Sequence, residues 1–437
     1  MFLGKADLLI YGCAIVAMNG KNFIENGAIV VKNGVIASIG KSTSVENIRA
    51  EKKINAKGKV ALPGLINCHT HVPMTLFRGL VEDRPLDSWL KETIWPLETK
   101  LKPEDVYAGA LLGCLEMIRS GTTCFADMYF HEDMVAKAVE KSGLRGILAE
   151  GIIESGNKAL GERMFERSID FAKNFRGHAN GRVGVMVGPH AAYSCSPSLL
   201  IKVGVAASQL KVGIHLHLAE SNTMFKKLGK KRGPTEVESL AKAGFLEGHV
   251  LAAHCINLSM NDMRILSERG VNVVYVPVAN MKLGLGVAKI VDLLRFGVNV
   301  SLGTDGAASN NVLDMFEAMK IGSLLQKIFY KNPTVLPAYD VLKMGTIDGA
   351  EALSLEKNVG SLEKGKKADI VLVDLSKPHL KPLHNIYSSL VYAARGSDVD
   401  TVIVDGKILM EKGQVTTLDE QSVMEKAETT AFDLVCR

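Results

Sequence analysis

From about residue 60 to residue 350, the chain alternates short β-branched, apolar runs with amphipathic stretches at helical spacing. That is the pattern of βα units built around a parallel sheet. Eight runs predict strands at 60–67, 122–128, 145–153, 183–189, 211–218, 249–254, 271–276 and 298–304. The stretches between them predict helices at 103–120, 132–142, 162–174, 197–209, 236–243, 260–268 and 288–295, several stopping at a glycine such as Gly143 or Gly270. Eight successive units fit a closed (β/α)8 barrel, an α/β fold of the TIM type, better than an open doubly wound sheet. No Gly-X-Gly-X-X-Gly opens a helix after the first strand, so the dinucleotide-binding alternative lacks its main sign.

The flanks follow another rhythm. Residues 7–60 carry short strand-like runs with turn signals, among them Asn33-Gly34, which predicts a tight hairpin. The runs at 368–374 and 401–407 are of the same kind, and a last helix is predicted from about Glu420. Neither flank can build a comfortable sheet alone, so both ends are expected to meet in one small β-sandwich beside the barrel. The expected division is residues 1–60 with 355–437 for that sandwich, and 61–354 for the barrel.

Composition narrows the function classes. With 437 residues, 47% hydrophobic and 23% charged, the chain can bury a large core, and a net charge of +5 is slight for this length. No Lys/Arg block with interleaved aromatics is present, which argues against a nucleic-acid partner and for small-molecule chemistry. The seven cysteines are odd in number, scattered and never in Cys-X-X-Cys spacing, as expected of reduced, buried side chains in a cytoplasmic protein. No run is long enough to span a bilayer, and the apolar stretch at 8–18 follows Asp7 and lacks a small-residue cleavage site, so neither membrane insertion nor a signal peptide is expected.

Candidate chemistry begins at His69-Thr70-His71, which closes the first apolar run. In an extended strand residues i and i+2 share a face, so both imidazoles can address one ion, although a pair so close is equally compatible with satisfied core histidines. Company decides between the two. Catalytic side chains of such barrels lie at the C-terminal ends of strands, and there the chain places His69, His71, His190, His217, Glu220, His254 and Asp305. Five of the eleven histidines thus sit at strand exits, a coincidence that core packing does not require.

Pro63-Gly-Leu-Ile-Asn-Cys-His69-Thr-His71, His215-Leu-His217-Leu-Ala-Glu220, Ala253-His254-Cys255 and Leu302-Gly-Thr-Asp305-Gly resemble the amidohydrolase superfamily. Arg78-Gly-Leu, Trp89-Leu, Trp95-Pro-Leu-Glu98, Gly188-Pro-His190 and Asn280-Met-Lys282-Leu resemble more closely its 5'-methylthioadenosine/S-adenosylhomocysteine deaminase group, which includes archaeal 5'-deoxyadenosine deaminases. The resemblance covers almost the whole chain. It implies the same barrel and flanking β-sandwich, and one divalent metal, usually zinc with iron or manganese as substitutes, held by His69, His71, His217 and Asp305. Binuclear relatives carry a carboxylated lysine on strand four, and no lysine stands in 183–189.

The implied reaction is hydrolytic deamination of adenosine-type nucleosides, with metal-activated water attacking C6 of the adenine ring. In that scheme Asp305 takes the proton of the water, Glu220 protonates ring N1 and then the leaving ammonia, and His254 positions the water. The resemblance further implies Glu98 as acceptor for both ribose hydroxyls, His190 near the ribose and ring nitrogens, and Arg163 toward the 5' substituent. A second arginine for that substituent is missing where strand three ends in Ala149-Glu150-Gly151, and strand seven departs from the usual motif with Tyr275-Val-Pro277-Val-Ala279. Both departures lean away from a strict preference for the charged homocysteine tail, whose carboxylate wants a cation. Family analogy implies a homo-oligomer. The rival readings are a hydrolase of a free aminated base or triazine ring on the same scaffold, and a catalytically inactive scaffold protein, which would require lost ligands.

Overall fold

The structure is a computed structural model, and it describes residues 5–44, 48–221 and 234–437. Two sheets organise it. One is parallel and eight-stranded, formed in chain order by Leu65–Thr70, Thr122–Tyr129, Arg145–Ile152, Val183–Pro189, Gly213–Leu218, Val250–His254, Asn272–Tyr275 and Val300–Leu302. These coincide with the eight predicted runs to within a few residues, except at the first. There the apolar run 60–67 is two strands, because Lys59–Pro63 pairs antiparallel with Ile370–Asp374 in the other sheet. Gly64 makes the crossing. Its N–H donates to the Asp369 carbonyl (3.1 Å), whereas the next N–H, of Leu65, donates to Gly121 (3.1 Å). A Cβ on residue 64 would lie 2.0 Å from Thr123 Oγ1, so only glycine passes between the sheets.

The barrel closes between strands eight and one without a regular ladder. Asp305 N–H donates to the His69 carbonyl (2.9 Å), and the Asn67 amide donates to Thr304 Oγ1 (2.7 Å) while its oxygen accepts from Thr304 N–H (3.0 Å). Closure therefore runs through residues flanking the histidine pair. Helices lie between the strands as expected, including Pro103–Arg119, Glu132–Ser142, Lys158–Phe175 and Pro197–Leu210. Gly143 ends its helix in the left-handed region (φ 87°) with its N–H on the Val139 carbonyl.

The second sheet has nine strands drawn from both chain ends. Ile24–Lys32 and Val35–Lys41 form the hairpin predicted at Asn33-Gly34, where both turn residues have positive φ (52° and 73°). The long strand Ala6–Ile15 pairs along one edge with Ala50–Asn55 through its first half and with Lys59–Pro63 through its second. The sheet branches there, and Leu8, Ile10, Ile29, Ile54, Ile370 and Ile403 pack into one apolar cluster. A buried ion group fastens this sheet to the barrel. Arg145, which opens barrel strand three, reaches Asp369 (3.1 Å) and Asp405 (3.0 Å) of the C-terminal segment. The last helix runs Glu420–Cys436. Among the described residues no helix is long and apolar enough to cross a membrane.

Candidate active site

At the C-terminal mouth of the barrel the strand exits bring the histidines together. His71 Nε2 lies 3.3 Å from Asp305 Oδ1 and 3.2 Å from His217 Nε2, and His69 Nε2 is 3.7 Å from the same Asp305 oxygen. The candidate donor atoms of His69, His71 and His217 all fall within 4.8 Å of one another. Their outer nitrogens are committed elsewhere. His71 Nδ1–H donates to the Met128 carbonyl (2.6 Å) and His217 Nδ1–H to the His190 carbonyl (2.8 Å). A carbonyl only accepts, so Nδ1 carries the proton of each neutral ring, and its Nε2 is then a lone pair aimed at the other ring.

His69 Nε2 is likewise buried with no hydrogen-bond partner. Burial holds the His69 and His217 imidazoles well below their ordinary pKa, with neighbouring histidines adding to the shift. His69, His71 and His217 form one group of donors that could hold a metal, and His69, His254 and Asp305 form a second that shares His69. Imidazole nitrogens with a carboxylate oxygen beside them suit a divalent metal, and the residues present fit one.

Two further strand-exit residues stand at the same mouth. His254 Nδ1–H donates to Asn280 Oδ1 (2.8 Å), which turns its Nε2 toward Glu220 Oε1 at 3.7 Å. Glu220 reaches the site through Ala219, whose backbone is left-handed (φ 50°) and whose N–H donates to the buried Glu236 (3.2 Å). Asn257 donates to the Glu220 carbonyl (3.0 Å), and Tyr193 Oη to its carboxylate (3.5 Å). Burial raises the Glu220 carboxyl above the ordinary range, so it holds a proton at a less acidic pH than an exposed glutamate would.

His71, His217, His254, Glu220 and Asp305 line a cleft of about 660 Å3 that is open to solvent. Glu98 lies on its wall, at the end of a helical stretch in which Leu86–Trp89 and Trp95–Glu98 flank a π-helical turn, Leu90–Ile94. Desolvation pushes Glu98 up to about 7, partly offset by the neighbouring Tyr129 hydroxyl. His190 also lines the cleft, held by Ser194 Oγ (2.9 Å), with Trp95 at its edge. Leu86, Trp89, Leu90, Ile94, Phe130 and Ile153 make the remaining wall largely apolar.

The structure thus gathers His69, His71, His190, His217, Glu220, His254, Asp305 and Glu98 around one cleft. Arg163 is exposed on helix Lys158–Phe175 and is not among the described cleft-lining side chains. Sequence reasoning assigned no role to His215, Tyr193, Tyr129 or the Asn280 contact. His215 stands two residues before His217 and Tyr129 ends strand two, so spacing and strand-exit position were the available signals.

A parallel barrel with a histidine and carboxylate cluster at its C-terminal mouth defines a barrel hydrolase with a candidate metal centre. More narrowly, residues 60–409 match the Amidohydrolase family model, and the chain belongs to that family. It is 49% identical over 433 residues to a 5'-deoxyadenosine deaminase of Methanosarcina mazei, covering 99% of each chain. It is 46% identical to a 5-methylthioadenosine/S-adenosylhomocysteine deaminase of Pelotomaculum thermopropionicum, covering 99% of this chain and all (100%) of that one. Among solved structures, an adenosine deaminase from Xanthomonas campestris with bound zinc superposes with a TM-score of 0.95 at 32% identity, covering 99% of both chains.

Proposed function

We propose that this enzyme deaminates adenosine-type nucleosides hydrolytically, releasing ammonia and the inosine analogue, with zinc held by His69, His71, His217 and Asp305. The observation that carries the reading is the juxtaposition of that donor set with the His254–Glu220 pair at one end of a cleft and Glu98 along its wall. The names of the relatives support the same chemistry. A divalent ion in this donor set supplies Lewis-acid activation of water at neutral pH. Iron or manganese would accept the same ligands, and zinc suits three imidazoles and a carboxylate best.

The chain's own groups do the rest. Asp305 accepts the proton of the attacking water. Glu220 delivers its proton to ring N1 as C6 becomes tetrahedral, receives the water proton from Asp305 and hands it to the departing amino group, and is reset by the C6 hydroxyl proton as the carbonyl forms, a task suited to a carboxyl whose burial favours its protonated form. His254, oriented by Asn280, holds the water toward C6. Glu98 accepts hydrogen bonds from the ribose hydroxyls, and His190 lies against the ribose side of the ring. The apolar wall around Leu86, Trp89 and Ile153 suits an uncharged 5' group, as in 5'-deoxyadenosine or 5'-methylthioadenosine, better than a zwitterionic homocysteine tail.

The test is a steady-state comparison of 5'-deoxyadenosine, methylthioadenosine, S-adenosylhomocysteine and adenosine under one metal loading, followed by the ultraviolet change of the purine. Turnover of at least the first two is expected. An unchanged spectrum for all four with metal-replete protein refutes the assignment.

A further inference from the structure

Arg78-Gly-Leu and Asn280-Met-Lys282-Leu carry the likeness to the deaminase group, yet neither Arg78 nor Lys282 is among the described cleft-lining side chains. Both meet instead at Asn311, beyond the exit of strand eight. The Lys282 ammonium pairs with Glu82 Oε2 (2.5 Å) and also donates to Asn311 Oδ1. The Asn311 amide nitrogen donates to the other Glu82 oxygen, Oε1 (2.9 Å), which closes a ring of three side chains. Arg78 donates to the Asn311 carbonyl and forks onto Glu116, whose Oε1 also accepts the Leu313 N–H (2.8 Å). Asn311 is thus held by both backbone and side chain, in a left-handed bend (φ 78°).

Three separate segments join there. Lys282 ends helix Pro277–Lys282, in which Asn280 orients His254, and it precedes the cleft residue Leu283. Asn311 follows Ser309, another lining residue. Glu82 lies in the connection 79–85, where Gly79, Asp83, Arg84 and Pro85 are exposed. That connection leads straight into the stretch that gives Leu86, Trp89, Leu90, Ile94, Trp95 and Glu98 to the cleft.

We propose that Glu82 and Lys282 are positioning residues, a clasp centred on Asn311 that fixes the wall 86–98 against the loops after strands seven and eight and so sets Glu98 for the nucleoside. The Glu82 and Lys282 side chains are 34% and 25% exposed, so a lone pair at this place would add little to stability. What the ring adds is direction. An amide offers its oxygen to the cation and its nitrogen to the anion, which leaves each partner one place. The consequence for substrate rests on the proposed deaminase activity, whereas the clasp itself can be read without substrate.

The chain's two tryptophans, Trp89 and Trp95, both lie in the clasped wall, so intrinsic fluorescence of the full chain reports on that wall directly. E82K and K282E each set like charges face to face. Both are expected to shift emission to the red and to raise quenching by acrylamide. A wall in place about a tenth of the time raises KM for 5'-deoxyadenosine about 10-fold, with a smaller change in kcat. The double exchange E82K/K282E restores opposite charges, and the Asn311 amide can turn over to serve them, so emission and KM are expected to return toward the parent. Parent-like emission and KM in both single variants overturn the clasp, as does a double exchange no better than the worse single variant. A red shift without a rise in KM overturns the link to substrate. Should K282E not fold, E82Q, isosteric and uncharged, carries the same expectation, and parent-like emission and KM in it overturn the proposal. A parent that turns over no nucleoside overturns the activity reading, and the fluorescence of the variants then decides the clasp alone.

Discussion

Replacing Glu220 by glutamine isolates proton transfer from every other duty of the site. The amide keeps the size of the carboxyl and its hydrogen-bonding oxygen, so the contacts to Tyr193 (3.5 Å) and the Asn257 hold on the backbone (3.0 Å) have no reason to fail. It cannot carry the mobile proton. Glu220 is 7% exposed, so bulk water has little access to take over the task. A positioned acid–base group is worth about 10²–10⁴-fold, and because this one serves both N1 and the leaving ammonia, the upper half of that range is expected in kcat. That equals about 4–5.5 kcal/mol of transition-state stabilisation. KM for 5'-deoxyadenosine should stay within about 3-fold, since no ground-state contact is removed. The assay is initial-rate deamination by ultraviolet absorbance, with zinc content measured on the same sample. A fully metallated E220Q within 10-fold of the parent kcat (about 1.4 kcal/mol) refutes the proton-shuttle role. A variant that has lost its zinc refutes the separation of Glu220 from metal binding.

E98Q tests ribose recognition. KM for 5'-deoxyadenosine should rise roughly 10–100-fold while KM for its 2',3'-dideoxy analogue barely moves, because a charged acceptor is worth about 1.5–3 kcal/mol only when both hydroxyls are there to donate. The parent should also show a pH dependence of KM that E98Q lacks. With burial raising Glu98 to about 7, the accepting carboxylate predominates above that pH and is lost below it. Between pH 8 and pH 6, KM should therefore worsen roughly 10-fold. G303A should disturb the candidate metal site from behind, because its Cβ would sit 2.9 Å from the His69 backbone nitrogen and 3.0 Å from the His69 Cβ. Overpacking of that kind costs about 1–3 kcal/mol, and zinc affinity measured against a chelator should fall with it. R145L should lose about 3–5 kcal/mol of unfolding free energy in urea, because the buried Asp369 loses its arginine partner. Its kcat under native conditions should be that of the parent.

The parts legible in the sequence were those where residue type and position speak together. A histidine at the end of an apolar, β-branched run has few other reasons to be there, so five histidines at four strand exits already outlined the mouth of the barrel. Gly64 was illegible because two strands of different sheets meet there in one unbroken apolar run, and periodicity has nothing to register when both faces are buried. The π-helical turn at Leu90–Ile94 adds a residue to a helix turn without any turn residue to announce it, yet it lies between Trp89 and Glu98 and so sets where the carboxylate falls. Arg163 is the converse case. Resemblance supplied a role for a residue type, but the local helix leaves that side chain exposed, away from the described lining of the cleft.

Backbone strain explains why local reading could place residues at the site without orienting them. His254, Asp305 and Ala219 all sit in the left-handed region, at φ 71°, 68° and 50°, each at a strand exit. Such conformations cost non-glycine residues of order 1–3 kcal/mol apiece and persist only where surrounding structure over-determines them. Here that structure is identifiable: the Asp305 N–H is held by His69, the Ala219 N–H by Glu236, and the His254 ring by Asn280. None of these partners is near in sequence, so no window of propensities contains the information. The strain turns each side chain out of the strand direction and across the barrel mouth, which lets three separate strand ends deliver His254, Asp305 and Glu220 to one point. A sequence selected only for stability would have placed glycine or asparagine in those bends.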